Sequence, residues 1–197
     1  MCFPVTIDVE VYNNFFVACF KRFSDGKRIT FEMSERCSLD REGLLRVLHG
    51  NTIVTFNGNC FDLPIIFLAL DGKINAELKV ASDKIIQGSM KSWEVEKVLG
   101  VKIPRLNHID LMEPNPSIRQ GLKVLAGRLH AKYLVDLPFA PDATLTREQM
   151  NVTTLYCFND LDCTQLVYDA MREPLDLRIA LSREYKIDLR SKSDTGS

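Results

Sequence analysis

No cysteine stands in a C-x-x-C pair, although the chain has six: Cys2, Cys19, Cys37, Cys60, Cys157 and Cys163. With no secretory leader ahead of the first strand-like run, that scatter argues against a structural zinc site and for reduced thiols in a cytoplasmic setting. Nor does any apolar run approach the roughly 18 residues of a membrane span, so no membrane partner is expected. Charge of one sign is missing as well: 25 Lys and Arg against 26 Asp and Glu leave a formal net charge of -1. No bulk positive field announces a nucleic-acid ligand, and any such binding needs a local basic patch or a metal. Internal repeats and low-complexity segments are absent, which excludes solenoids and arrays.

What is present suits one catalytic domain: 197 residues, 46% of them hydrophobic and 26% charged, are enough for a full core. Runs of β-branched and aromatic residues at 5–10, 15–22 and 28–32 are split by the turn residues Asn13-Asn14 and Asp25-Gly26, which predicts an antiparallel meander. Helical spacing follows at 41–48, ended by Gly50, and then a short buried strand at 52–56. Helices are predicted at 63–70, 93–99 and 117–129, with a strand at 108–111. A capping box, Thr146 to Gln149, opens a helix reaching about Met171, and Pro174 separates it from a last helix at 175–185. Trp93 reads as core, beside Val95 and Val98. This order implies an α/β protein with a mixed central sheet of about five strands flanked by helices. Residues 188–197 read as an uncommitted polar tail after a domain spanning 1–187.

Three constellations carry chemistry. In Thr6-Ile7-Asp8-Val9-Glu10 strand alternation projects Asp8 and Glu10 to one face and Ile7 and Val9 to the other. Alone, such a pair is more often an exposed acidic strand face. The second, Asn57-Gly58-Asn59-Cys60-Phe61-Asp62, runs from a strand into a loop and a helix start. Asp62 reads there as an N-cap, which leaves Asn57 and Phe61 unexplained. The third, Tyr156-Cys157-Phe158-Asn159-Asp160, lies in a helical pattern where residues four apart share a face, so that a phenol and a carboxylate stand together. A core tyrosine with a bonded hydroxyl is the structural alternative.

Taken in order, D-x-E, N-x-x-x-F-D and Y-x-x-x-D resemble the three motifs of the DEDD exonucleases, from Asp8 to Asp160. Leu155 stands where the other branch of that superfamily carries histidine, so the chain resembles the tyrosine branch. The resemblance implies a ribonuclease-H-like fold and a 3′-to-5′ exonuclease activity. It further implies two Mg²⁺ or Mn²⁺ ions held by Asp8, Glu10 and Asp160, with Asp62 acting directly or through water. Tyr156 would orient the attacking water, and Asn57 and Phe61 would contact substrate. Closer likenesses at 8–16, 108–111, 127–130 and 188–193 are to the amino-terminal region of phage DNA polymerases. They imply a proofreading role on single-stranded or frayed DNA, a polymerase domain following in the natural chain, and a host cytoplasm.

The chemistry agrees with the residue types. Carboxylates supply the hard oxygen ligands that Mg²⁺ takes, and substrate phosphate and water complete the shell. Without metal, converging carboxylates repel, so raised pKa values are expected. Lys123, Arg128, His130 and Lys132 read equally as a DNA-backbone grip and as a solvated face. His108 and Asp110 read as structural. A free-standing exonuclease on DNA or RNA, and a non-catalytic nucleic-acid-binding domain of the same fold, remain as alternatives.

Overall fold

Strand β1 (Pro4–Tyr12) decides the layering. Its odd residues Val5, Ile7, Val9 and Val11 enter one apolar core, while Tyr12 of the even set enters another with Phe15, Val17 and Cys19. A slip of one residue would exchange the two sets, which pins the register. Strand β1 pairs antiparallel with β2 (Phe15–Arg22), placing Asp8 opposite Cys19 and Glu10 opposite Val17, and β2 pairs antiparallel with β3 (Arg28–Met33). On its other edge β1 runs parallel to β4 (Thr52–Thr55), which runs parallel to β5 (His108–Asp110). The order is β3-β2-β1-β4-β5.

The computed structural model describes residues 3–88, 90–114 and 120–190. Seven helices among them flank the sheet: α1 (Arg41–Gly50), α2 (Asp62–Leu70), α3 (Asn75–Gly88), α4 (Ser92–Leu99), α5 (Leu122–Arg128), α6 (Arg147–Ala170) and α7 (Arg172–Tyr185). The protein is thus α/β with a five-stranded mixed sheet, compatible with a ribonuclease-H-like fold. Helices α1 and α2 bury Leu44, Leu48, Ile65 and Ile66 against the odd face of β1. Helix α6 lies across the other face with Met150, Cys157 and Leu161. No helix among the described residues is long and apolar enough to cross a membrane.

Local chemistry sets the ends of these elements. Asp40 caps α1 by accepting from the Gly43 amide at 2.9 Å. The box at α6 is reciprocal, with Thr146 Oγ1 accepting from the Gln149 amide at 3.3 Å and Gln149 Oε1 from the Thr146 amide at 2.8 Å. Helix α4 closes on Gly100 in the left-handed region, φ 65. The Asn13-Asn14 hairpin also works at long range: Asn14 exchanges two hydrogen bonds of 2.9 Å with the backbone of Leu145, tying the sheet to the start of α6.

The structure departs from the sequence expectations in several places. Helix α3 was not foreseen. Helix α5 covers only Leu122–Arg128 of the expected 117–129, Gly121 being its N-cap; residues 117–119 lie outside the described residues. Trp93 is not core: it is 67% exposed, with Lys91 Nζ 4.8 Å above its ring, and α4 buries Val95 alone. Pro174 does not separate the last two helices but sits in the first turn of α7, where its missing N–H costs nothing. The tail is committed as far as Arg190: Leu189 donates to Ser182 Oγ at 2.9 Å and accepts from Arg178 at 3.0 Å. Residues 191–197 of that expected tail lie outside the described residues.

Candidate metal centre

The strand period delivers Asp8 and Glu10 to the face covered by α6, as their spacing requires. Helix α6 brings Tyr156, Cys157 and Asp160 down onto them. Cys157 Sγ donates to Asp8 Oδ2 at 3.1 Å, with Asp8 O at 3.5 Å. One ligand atom each from Asp8, Glu10 and Cys157 lie within 4.8 Å of one another, a group able to hold a metal ion. Asp160 is 8% exposed, and its Oδ1 finds no hydrogen-bond partner among the described residues. Buried carboxylate oxygens are rarely left so, because each forfeits its hydration without return.

Asp62 arrives from the first turn of α2. Its expected N-cap role is not what the structure shows, since Phe61 takes the N-cap position. Strand β4 pairs with β1 only as far as Thr6, and beyond it the Val9 amide donates to Asp62 Oδ1 at 3.1 Å. Asp62 therefore closes the end of the β1–β4 ladder while standing 4% exposed beside the other acids.

Asn57 and Phe61 are placed by the loop between β4 and α2, and that loop is built around Asp110. Asp110 Oδ1 accepts from the amides of Asn57 at 2.8 Å and Met112 at 3.1 Å, and Oδ2 from Asn59 at 2.9 Å. Asn57 adopts φ 67, a left-handed conformation that asparagine tolerates better than most residues. A Cβ on Gly58 would overlap the Thr55 side chain. Asn57, Cys60 and Phe61 border an open groove of about 510 Å³, completed by Ile85, Ile86, Met90 and Met112. The structural reading of Asp110 is thereby borne out. His108 behaves likewise: Nε2 is 2.8 Å from Thr55 Oγ1, and burial lowers its pKa to about 4, keeping the ring neutral at pH 7.

Electrostatics marks the four acids as a unit. Burial, then the charges of Asp62, Glu10 and Asp160, hold Asp8 well above the usual carboxylate range, against the Cys157 thiol, which lowers it. Glu10 is raised by burial and by Asp160, Cys19 and Asp62, with Lys123 opposing. Asp62 is raised from 3.8 to about 7, by burial first and then by Asp110, against the amides it accepts from. Burial also raises Asp160, while the Lys123 charge and the Tyr156 hydroxyl lower it. Tyr156 itself is driven upward by burial and the surrounding negative charge. The expectation of raised carboxylates is met on every member.

Two members of the site were not assigned from sequence. Lys123, grouped earlier with Arg128, His130 and Lys132, turns inward: Nζ donates to Tyr156 Oη at 2.8 Å and lies 4.4 Å from the centre of its ring. The others do not follow it. Arg128 pairs with Gln120 at 2.7 Å, and Lys132 stands 5.2 Å over the Tyr133 ring. Cys157 was read only as one of six reduced thiols, yet helical spacing alone sets it three residues from Asp160, on the same side of α6.

No family model matches the chain, and no curated protein or solved structure matches it.

Proposed function

We propose that the protein is a metal-dependent 3′-to-5′ exonuclease acting on single-stranded or frayed DNA ends, as the proofreading domain of a phage-type DNA polymerase. The observation that carries this reading is the convergence of Asp8, Glu10, Asp62 and Asp160 from β1, α2 and α6 on one spot, with the Asp160 Oδ1 left unpartnered.

The donor set suits Mg²⁺ or Mn²⁺, hard cations that take carboxylate oxygens and keep places for water and phosphate. Asp8, Glu10 and Asp160 would hold two ions, with Asp62 reaching the second directly or through water. Ions bound there supply charge neutralisation at the scissile phosphate and stabilise the attacking and departing oxygens. The remaining work belongs to the chain. Tyr156 Oη, accepting from Lys123, is held where it can orient an attacking water. Lys123 offsets part of the carboxylate charge and so moderates the repulsion of phosphate. Phe61 offers a face on which any base can stack, which suits a nuclease indifferent to sequence. Asn57 lines the same groove as Phe61.

The test is time-resolved digestion of 5′-labelled single-stranded DNA with Mg²⁺ or Mn²⁺, beside EDTA and Asp8→Ala controls and a matched RNA. A metal-dependent ladder shortening from the 3′ end is expected, and equal digestion of RNA would move the reading to a free-standing DNA/RNA exonuclease. No cleavage by a folded protein would leave a non-catalytic binding domain.

A further inference from the structure

We propose that Cys157, Asp8 and Glu10 form a second kind of metal site within the same cluster, selective for a thiophilic divalent cation such as Zn²⁺ or Cd²⁺, whose occupancy excludes the hard ion. The inference takes its role in inhibition from the nuclease reading, but the binding itself rests only on the three side chains.

Cys157 is fully buried and forms the floor of the cluster, while Asp8 and Glu10 are partly open to solvent. An ion entering past the two carboxylates meets the sulfur last. Four-coordinate Zn²⁺, with bonds near 2.3 Å to sulfur and 2.1 Å to oxygen, separates neighbouring ligands by about 3.6 Å. Cys157 Sγ and Asp8 Oδ2 are 3.1 Å apart, and the third ligand atom falls within 4.8 Å of both. Parting the first two by about half an ångström and drawing Glu10 in by at most about 1.2 Å meets that spacing. The thiol proton now shared with Asp8 passes to solvent as the sulfur–metal bond forms, so binding releases one proton for that bond.

A second observation points the same way. Asp160, three residues along α6 from Cys157, has a buried Oδ1 with no hydrogen-bond partner among the described residues and lies close enough to Asp8 and Glu10 for its charge to raise both. The three ligands leave the fourth position of a tetrahedral ion to water, with the Asp160 charge close by. Mg²⁺ demands octahedral oxygen and gains nothing from sulfur, whereas Zn²⁺ and Cd²⁺ do. One cluster thus offers oxygens to the hard ion and a mixed sulfur–oxygen set to the soft one.

The test is titration of Cd²⁺ alone, and against excess Mg²⁺, into the full chain and into Cys157→Ser, reading the sulfur-to-cadmium charge-transfer absorption. The wild-type protein should show a one-equivalent rise that the variant lacks, with affinity falling by more than about 10-fold, the scale on which even outer-shell changes act. Identical titrations would overturn the proposal. If Cys157→Ser fails to fold, cadmium NMR of the wild type and Asp8→Asn replaces it. A sulfur-ligated resonance lost in Asp8→Asn supports the site, and an oxygen-only resonance, or one unmoved by Asp8→Asn, refutes it. In the digestion assay, the Zn²⁺ concentration that halves each protein's own Mg²⁺-driven rate should rise more than about 10-fold in Cys157→Ser. A protein that cuts nothing but binds Cd²⁺ through Cys157 would sink the nuclease reading and leave this one standing.

Discussion

Replacing Asp62 by asparagine should stabilise the metal-free protein at pH 8 and destabilise the metal-loaded one. Burial and the neighbouring Asp110 raise the Asp62 carboxyl from its ordinary 3.8 to about 7. Between those values the folded chain keeps a proton that the unfolded chain has released, so stability falls as pH rises through that window and the full penalty of ionising Asp62 is in place above about 7. The shift of about 3 units, at 1.36 kcal/mol each, corresponds to about 4 kcal/mol. Asparagine carries no charge and its carbonyl can still accept from the Val9 amide. Its new NH₂ must find acceptors among Asp110 and Asp160, at a cost of about 1–3 kcal/mol if it does so poorly. A net gain of about 2 kcal/mol remains, which raises Tm by roughly 4–8 °C in a chain of this size. At pH 4 the benefit disappears and only the amide cost is left. With Mn²⁺ at 100 times its Kd the wild type gains about 2.7 kcal/mol that the variant largely forgoes, and the order inverts. Thermal melts followed by circular dichroism at pH 4, 6 and 8, with EDTA or Mn²⁺, read all of this. A Tm difference that is the same at every pH would refute the account of Asp62 as a buried, charge-frustrated carboxylate.

Other substitutions separate the roles of the remaining residues. Asp8→Ala and Asp160→Ala should each cut digestion at least about 1000-fold, on the scale of charge stabilisation lost from a preorganised site, with metal-free melting temperatures held or raised. Tyr156→Phe should cost about 100-fold, because it misplaces water without removing a ligand, as single-turnover rates would show. Lys123→Met removes the cation that lowers Asp160 and Glu10; metal-free Tm should fall at pH 8 and not at pH 4. Asp110→Ala leaves three amides without their acceptor at about 1–3 kcal/mol apiece. It should lower Tm and raise KM for the oligonucleotide more than it lowers kcat.

The sheet was legible because its strands obey simple periods. Acids at 8 and 10 against Ile7 and Val9 announce a two-faced strand, and Thr146 with Gln149 announces a helix start; both stand in the structure. Helix α3 was illegible for a physical reason. Its buried side includes Lys79 and Ser82 beside Leu78, Ala81 and Ile85, so part of the stripe is a lysine stem and small polar groups. The misplacement of Trp93 was a fault of geometry: residues 93 and 95 are about 200° apart on a helix and cannot both face the core. Once Val95 packs inward, Trp93 points out.

The site was legible as a set of acids, but not as an arrangement. From sequence, Asp110 read as structural, Asp160 as a ligand by resemblance alone, and Asp62 either as a helix cap or, by the same resemblance, as a ligand. What divides them is where their oxygens go. Asp110 accepts from three amides, so its charge is consumed in holding the loop that carries Asn57 and Phe61. Asp62 accepts from Val9 across fifty-three residues of chain and stands close enough to Asp8 and Asp160 to share their charge. Among the described residues, Asp160 leaves one buried oxygen without a hydrogen-bond partner, and Asp8 accepts on Oδ2 from a thiol, a weak donor. Carboxylates buried together with so few donors, one amide on Asp62 Oδ1 and one thiol on Asp8, keep a mutual repulsion that a bound cation would relieve. On the proposed reading those acids, and not Asp110, are the ones that would hold the cation.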